Sequence, residues 1–193
     1  MMDVFSAIQQ RQSIRKFKDE AVPQDMLDKI LEAATLAPSG KNKQPWKFYI
    51  VRGGKRAEMV EEMKKGMNRL ESLGIKTGSA RYTTRVLDQA PVTILVFNPT
   101  SKHPLKKRNT LETYQDMVDI QSIGAAIQNM CLTAVSLGLG SLWICDVYFG
   151  YEELCEWLGE SGELIAALSL GYPNHTPVKR PRQSVAEVAA YIE

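Results

Sequence analysis

The chain has 193 residues, 24 Lys and Arg against 22 Asp and Glu for a formal charge of +2, and side chains that are 44% hydrophobic and 24% charged. That balance belongs to a folded globular chain and excludes a disordered tail, a collagen-like fibre or a coiled-coil rod. The length suits a single domain, expected over residues 1–193, with a core that needs neither disulfide nor structural metal.

Apolar runs such as Ala90–Phe97 are too short to span a bilayer, and the opening MMDVFSAIQQRQS lacks the apolar block of a secretory signal. Cys131, Cys145 and Cys155 are too scattered for a disulfide framework or a zinc site, so a cytoplasmic location without membrane attachment is expected. With only His103 and His175 available, metal sites and Ser-His-Asp triads have little material.

In chain order, the first helix is expected from Asp3, as N-cap, to Gln10. A second follows Val22-Pro23 and runs to about Leu36 on the spacing of Met26, Leu27, Ile30, Leu31 and Ala34, stopped by Pro38. Trp46–Val51 reads as a strand. Lys55–Leu73 reads as a strongly charged helix, a solvated flank or lid rather than core. Pro91–Phe97 has the continuous apolar pattern of a strand buried on both faces, and Asn98–Asn109 reads as a loop. A long helix is expected from about Leu111 to Leu137; its small residues would let another helix approach closely. Ser141–Val147 reads as a short strand, Tyr151–Leu158 as a short helix, Glu163–Tyr172 as a second buried strand, and the tail as weakly helical from Ser184. Strands and helices mix without strict alternation, which predicts an α+β fold.

Three segments carry candidate chemistry. In Arg11-Gln12-Ser13-Ile14-Arg15, an extended backbone would put Arg11, Ser13 and Arg15 on one side, two guanidinium forks around a hydroxyl. On that segment alone, a solvated basic turn at a helix end is the better reading. Far along the chain, Lys179-Arg180-Pro181-Arg182 repeats the paired arginines, and spacing does not decide whether the two pairs converge. Between them, Pro38-Ser39-Gly40-Lys41-Asn42-Lys43-Gln44-Pro45-Trp46 is dense in turn formers and uncharged hydrogen-bonding groups, suited to a planar polar heterocycle with a polyol chain.

Together R-x-S-x-R, A-P-S-G-x-N-x-Q-P-W, the stretch Gly124–Trp143 and Gly171-Tyr-Pro173 followed by Arg182 resemble the nitroreductase family, in order and over essentially the whole chain. The resemblance implies a three-layer α+β fold, a central mostly antiparallel sheet flanked by helices, in an intertwined homodimer with FMN at the interface. It implies that Arg11 and Ser13 contact phosphate and ribityl, that Gln12 between them also binds the cofactor, that Arg15 lies near the pyrimidine side of the flavin, and that Arg180 and Arg182 reach the phosphate. Pro38, Ser39, Gly40 and Asn42 match a loop supplied by the partner subunit, and Leu142, Trp143 and Ile144 match the backbone that runs past the flavin N5. Thr84 and Arg85 are positional candidates for the pyrimidine edge. No protein nucleophile is needed, since the cofactor carries the electrons.

The implied activity is ping-pong transfer from NAD(P)H to a nitroaromatic, a quinone or a similar small acceptor. A dehalogenating or flavin-destroying enzyme on the same scaffold is the first alternative, its lid formed by Gly66–Arg85 or Ser101–Glu112. The second is a flavin-free binding module using the basic run Lys102–Arg108, although the low net charge and the lack of interleaved aromatics argue against nucleic acid. Single residues read as structural: Cys131 and Cys145 as buried packing thiols, His175 as a turn residue, Asp116 and Asp119 as a solvated or dimer-contact face.

Overall fold

A computed structural model describes residues 2–193. Seven helices and four strands are found among them: α1 (Val4–Gln10), α2 (Gln24–Thr35), β1 (Lys47–Arg52), α3 (Lys55–Ser72), α4 (Ala80–Gln89), β2 (Val92–Asn98), α5 (Thr110–Ser136), β3 (Gly140–Ile144), α6 (Tyr151–Leu158), β4 (Glu163–Gly171) and α7 (Val185–Val188). The strands form one antiparallel sheet in the order β1-β2-β4-β3. The expected α+β, antiparallel arrangement is therefore present.

β2 and β4 are buried along their whole length, and their alternating side chains build two cores. Ile94, Val96, Ala166, Leu168 and Leu170 meet α2 and α5 on one face. Leu95, Phe97, Leu164 and Ala167 meet α3, α4 and α6 on the other. Three layers follow from this period of two, because each apolar face of a central strand needs its own cover.

Helix starts follow their caps. The Asp3 carboxylate accepts from the Ser6 backbone N–H at 3.0 Å, and Asn109 with Glu112 forms a reciprocal capping box on α5.

Two expectations are corrected. α3 is no solvated flank: Met59, Val60, Met63, Gly66 and Met67 form a buried stripe under its charged face. α4 begins within the span read as a possible lid, yet it packs in the core through Ala80, Thr83, Thr84, Val86 and Leu87. Threonines on that face disguised it as polar; Thr83 in fact donates to Asp146 and Thr84 to the Arg81 carbonyl. No helix among the described residues is long and apolar enough to cross a membrane.

α3 reaches its neighbour through glycine. A Cβ on Gly66 would lie 2.5 Å from the Gly150 Cα and 2.6 Å from the Phe149 carbonyl oxygen. Gly66→Ala should therefore destabilise the protein by about 1–2 kcal/mol, overpacking outweighing the roughly 1 kcal/mol of helix propensity gained. Gly54→Ala, where the space is open, should show no such loss; urea midpoints measure both.

Across the first sheet edge, Glu160 accepts from Lys47 Nζ at 2.8 Å and Tyr49 Oη at 2.6 Å. These bonds hold its carboxyl down at about 2, against an ordinary 4.5. Its contribution to stability is present above about pH 4.5 and is lost as the pH falls toward 2. In Lys47→Met/Tyr49→Phe, the Glu160 carboxyl should titrate close to its ordinary value, read by carboxyl NMR.

Candidate active site

α1 ends at Arg11, whose backbone turns extended. The chain then adds itself to the edge of the sheet: Ser13 bridges Ser141 in parallel, and the Ile14 N–H donates to the Ser141 carbonyl at 2.9 Å. Ile14 is buried against Gly140, where a Cβ would sit 2.6 Å from the Ile14 Cγ1. That close approach explains the glycine at the head of β3.

Two further contacts bring in the other end of the chain. Lys18 N–H donates to the Tyr172 carbonyl and Asn174 N–H to the Lys16 carbonyl, each at 2.9 Å, and Phe17 bridges Pro173. The tail that follows is thereby laid over the N-terminal segment.

The result is a cleft of ≈ 510 Å³ whose lining includes Arg11, Gln12, Ser13 and Arg15 from one end of the chain and Lys179, Arg180 and Arg182 from the other. The two arginine pairs left undecided by spacing converge here. No acidic residue lines this cleft, and among the described residues none of its five cations takes part in an ion pair. Clustered unpaired cations repel one another and favour a multiply charged anion. Among the described residues the Gln12 Oε1 is buried without a hydrogen-bond partner, an unmet acceptor on a residue that lines the cleft. Arg15 Nη1 donates to the Ser13 carbonyl at 3.2 Å, which fixes its side chain along the cleft wall.

Not every candidate joins this cleft. Pro38, Ser39, Gly40 and Asn42 belong to a loop seated on α5, with the Gly40 N–H donating to Ser122 Oγ at 3.3 Å, and none of them lines the cationic cleft. In β3, Leu142 and Ile144 point into the core at 7% and 4% exposure, whereas Trp143 is 39% exposed on the opposite face, beside Gly124 of α5. Thr84 is buried within α4, and Arg85 lines a separate shallow groove with Glu61 and Lys64.

Three structural readings change. Asp119 is 1% exposed and paired with Lys43, which makes it a buried anchor instead of a solvated carboxylate. Cys145 is exposed; the strand stops at Ile144, one residue before it. The basic run Lys102–Arg108 faces outward only in part: Lys106 and Lys107 are exposed, while Lys102 pairs with Glu112. Arg108 turns inward to Asp116 and donates to the carbonyls of Lys102, His103, Pro104 and Lys106. Near it, burial pushes the Glu163 carboxyl up.

The fold and the cleft define a three-layer α+β protein with a cationic site where both chain ends meet the sheet edge. The family model described as the Nitroreductase family matches residues 8–172. A protein of Methanothermobacter thermautotrophicus, provisionally named an NADH dehydrogenase/NAD(P)H nitroreductase, is 33% identical over 184 residues, 93% of this chain and 82% of the relative. A nitroreductase with bound FMN from Desulfitobacterium hafniense DCB-2 superposes with a TM-score of 0.75 at 26% identity, covering 100% of both chains. An iodotyrosine deiodinase of Hydra vulgaris is 27% identical over 188 residues, 89% of this chain and 65% of the relative. The chain belongs to the nitroreductase family.

The cleft makes its own prediction. Inorganic phosphate at millimolar concentration should raise the melting temperature of the wild-type protein, since a ligand that binds only the folded state stabilises it. Arg11→Ala/Arg182→Ala should abolish most of that shift in a thermal melt.

Proposed function

We propose that this chain is an FMN-dependent oxidoreductase that takes electrons from NAD(P)H and passes them to a nitroaromatic, a quinone or a similar small acceptor. The observation that carries the reading is the convergence of five unpaired cations, Ser13 and the orphaned Gln12 Oε1 in one cleft. The family membership and the FMN-bound relative support it.

In this reading Arg11, Ser13, Arg180 and Arg182 hold the phosphate by charge-assisted bonds worth about 1.5–3 kcal/mol each. Gln12 gains the donor its Oε1 lacks. Arg15 supplies positive charge at the pyrimidine edge, where it favours a reduced, anionic ring. The β3 backbone at Leu142–Ile144, which pairs with the Ser13 segment through Ser141, would run past the ring. Pro38, Ser39, Gly40 and Asn42, which do not line their own chain's cleft, serve the cleft of a second subunit. When bound, FMN would supply the two-electron transfer chemistry between donor and acceptor.

A homodimer is part of the proposal. Val4, Phe5 and Ile8 of α1 and Leu111, Tyr114, Met117, Val118 and Ile120 of α5 are large apolar side chains left exposed. Such a surface on one protein supports an interface between copies. The C-terminal half of α5 is committed elsewhere, with Ile123, Ile127, Met130, Cys131 and Ala134 buried in the chain's own core. We propose a single nitroreductase-like domain over residues 1–193. Dehalogenation of a halogenated phenol on the same site is the second reading, supported by the deiodinase relative.

An anaerobic absorbance titration tests the proposal. Protein incubated with FMN should retain flavin absorbance that bleaches with NADH or NADPH and returns with a nitroaromatic, a quinone or an iodophenol, which ranks the acceptors. Arg15→Ala should bind FMN more weakly or lower its potential. Protein that retains no FMN overturns the reading.

A further inference from the structure

The loop from Ser39 to Gln44 has an unusual backbone. Lys41, Asn42 and Gln44 all adopt the left-handed region, with φ of 53°, 54° and 51°. None is glycine, and a lysine or glutamine side chain crowds the following carbonyl in that region, so the conformation has to be imposed from outside. Local bonds contribute: Asn42 N–H donates to the Ser39 carbonyl at 3.0 Å, Lys43 N–H to the Gly40 carbonyl at 3.1 Å, and Gln44 N–H to Ser39 Oγ at 3.0 Å.

The remaining restraint comes from one face of α5. Gly40 lies against Val118 so closely that a Cβ would fall 2.3 Å from the Val118 Cγ1, and its N–H is held by Ser122. Between these two contacts, Asp119 accepts from Lys43 Nζ. Its other bonds are to Asn98 Nδ2 at 3.2 Å and to Gln115 Nε2 at 2.9 Å. The Asp119 side chain is 2% exposed, that of Lys43 31%. Among the described residues Lys43 is the only cation paired with Asp119. A buried carboxylate with a single cationic partner holds that partner tightly, since losing it leaves a desolvated charge.

We propose that Asp119 is a positioning residue for cofactor binding: through Lys43 it keeps the 39–44 loop in the left-handed shape that offers Ser39, Gly40 and Asn42 to the flavin. This rests on the proposed FMN function. Asp119 itself touches no part of the cationic cleft. The two sites are thus separable: the cleft binds phosphate without the loop, and the loop contributes only when the whole cofactor is present. If releasing the clamp leaves the loop competent about a tenth of the time, the apparent FMN dissociation constant rises about tenfold.

The test uses full-length apoprotein reconstituted with FMN, with inorganic phosphate as a second probe. Lys43→Met and Asp119→Asn should each raise the FMN dissociation constant by about tenfold. The double variant should be no worse than the poorer single, the signature of two residues acting as a unit. Lys43→Arg should restore affinity, and the thermal shift given by phosphate should be unchanged throughout. If Asp119→Asn does not fold, Lys43→Met with its Lys43→Arg rescue carries the test. Wild-type FMN binding with Lys43→Met at wild-type affinity, or effects on log Kd that simply add, overturns the positioning role alone. Loss of the phosphate response together with FMN affinity marks general unfolding and likewise overturns it. A wild-type protein that takes up no FMN overturns the functional reading and the positioning role with it.

Discussion

The site depends on one short piece of main-chain pairing. Ile14 N–H to the Ser141 carbonyl, with Ile14 seated over the bare face of Gly140, fixes the segment after α1 as an added edge to the sheet. Everything cationic in the cleft is registered to that bond. It sets the direction of Arg11, Ser13 and Arg15, and the next pairings, Lys18 with Tyr172 and Asn174 with Lys16, lay the C-terminal tail over the same place. A chain with a net charge of only +2 can in this way concentrate five cations in one cleft. Local charge density, more than total charge, decides what such a protein attracts.

α5 is the second organising element, and it does two jobs along its length. From Ile123 onward its apolar residues fill the core against α2 and the sheet. Before that point the helix leaves Leu111, Met117 and Ile120 exposed while Val118, Asp119 and Ser122 grip the 39–44 loop. Core packing at one end gives the other end a rigid base. A strained loop needs such a base, because left-handed lysine and glutamine relax once their restraints move.

Much of this was legible in the sequence where a single period or cap dominated. α6 agrees with the expected Tyr151–Leu158, and β2, β4 and α5 lie within a residue or two of their expected ends, since their apolar runs admit one reading. α4 was hidden because Thr83 and Thr84 bury hydroxyls that find partners at Asp146 and Arg81; polar letters on a buried face defeat a hydrophobic count. The methionine stripe of α3 was masked by the density of charge around it. Asp119 could not be read as buried, because its partners Lys43 and Asn98 come from distant parts of the chain. Convergence of the two arginine pairs was likewise a tertiary fact, carried by backbone bonds that no side-chain pattern encodes.

The division of labour between cleft and loop has a physical logic. Arginine forks recognise a phosphate through charge, over several ångströms and with tolerance for small displacements. A planar ring must instead be held within a fraction of an ångström if electrons are to pass to a second molecule at a defined face, and that precision comes from a preorganised first shell with its own support. In the proposed function the cationic cleft meets the first need, with Arg11 and Arg15 half-buried and Lys179, Arg180 and Arg182 exposed. The second need falls, in the same proposal, to short polar residues, Ser39, Gly40 and Asn42, on a backbone packed against α5. Were the loop soft, its ordering would be charged against every binding event, and affinity would fall by the fraction of time it spent elsewhere. In the proposed positioning role, burying Asp119 to hold Lys43 moves that cost from cofactor binding to folding, where a large core absorbs it once.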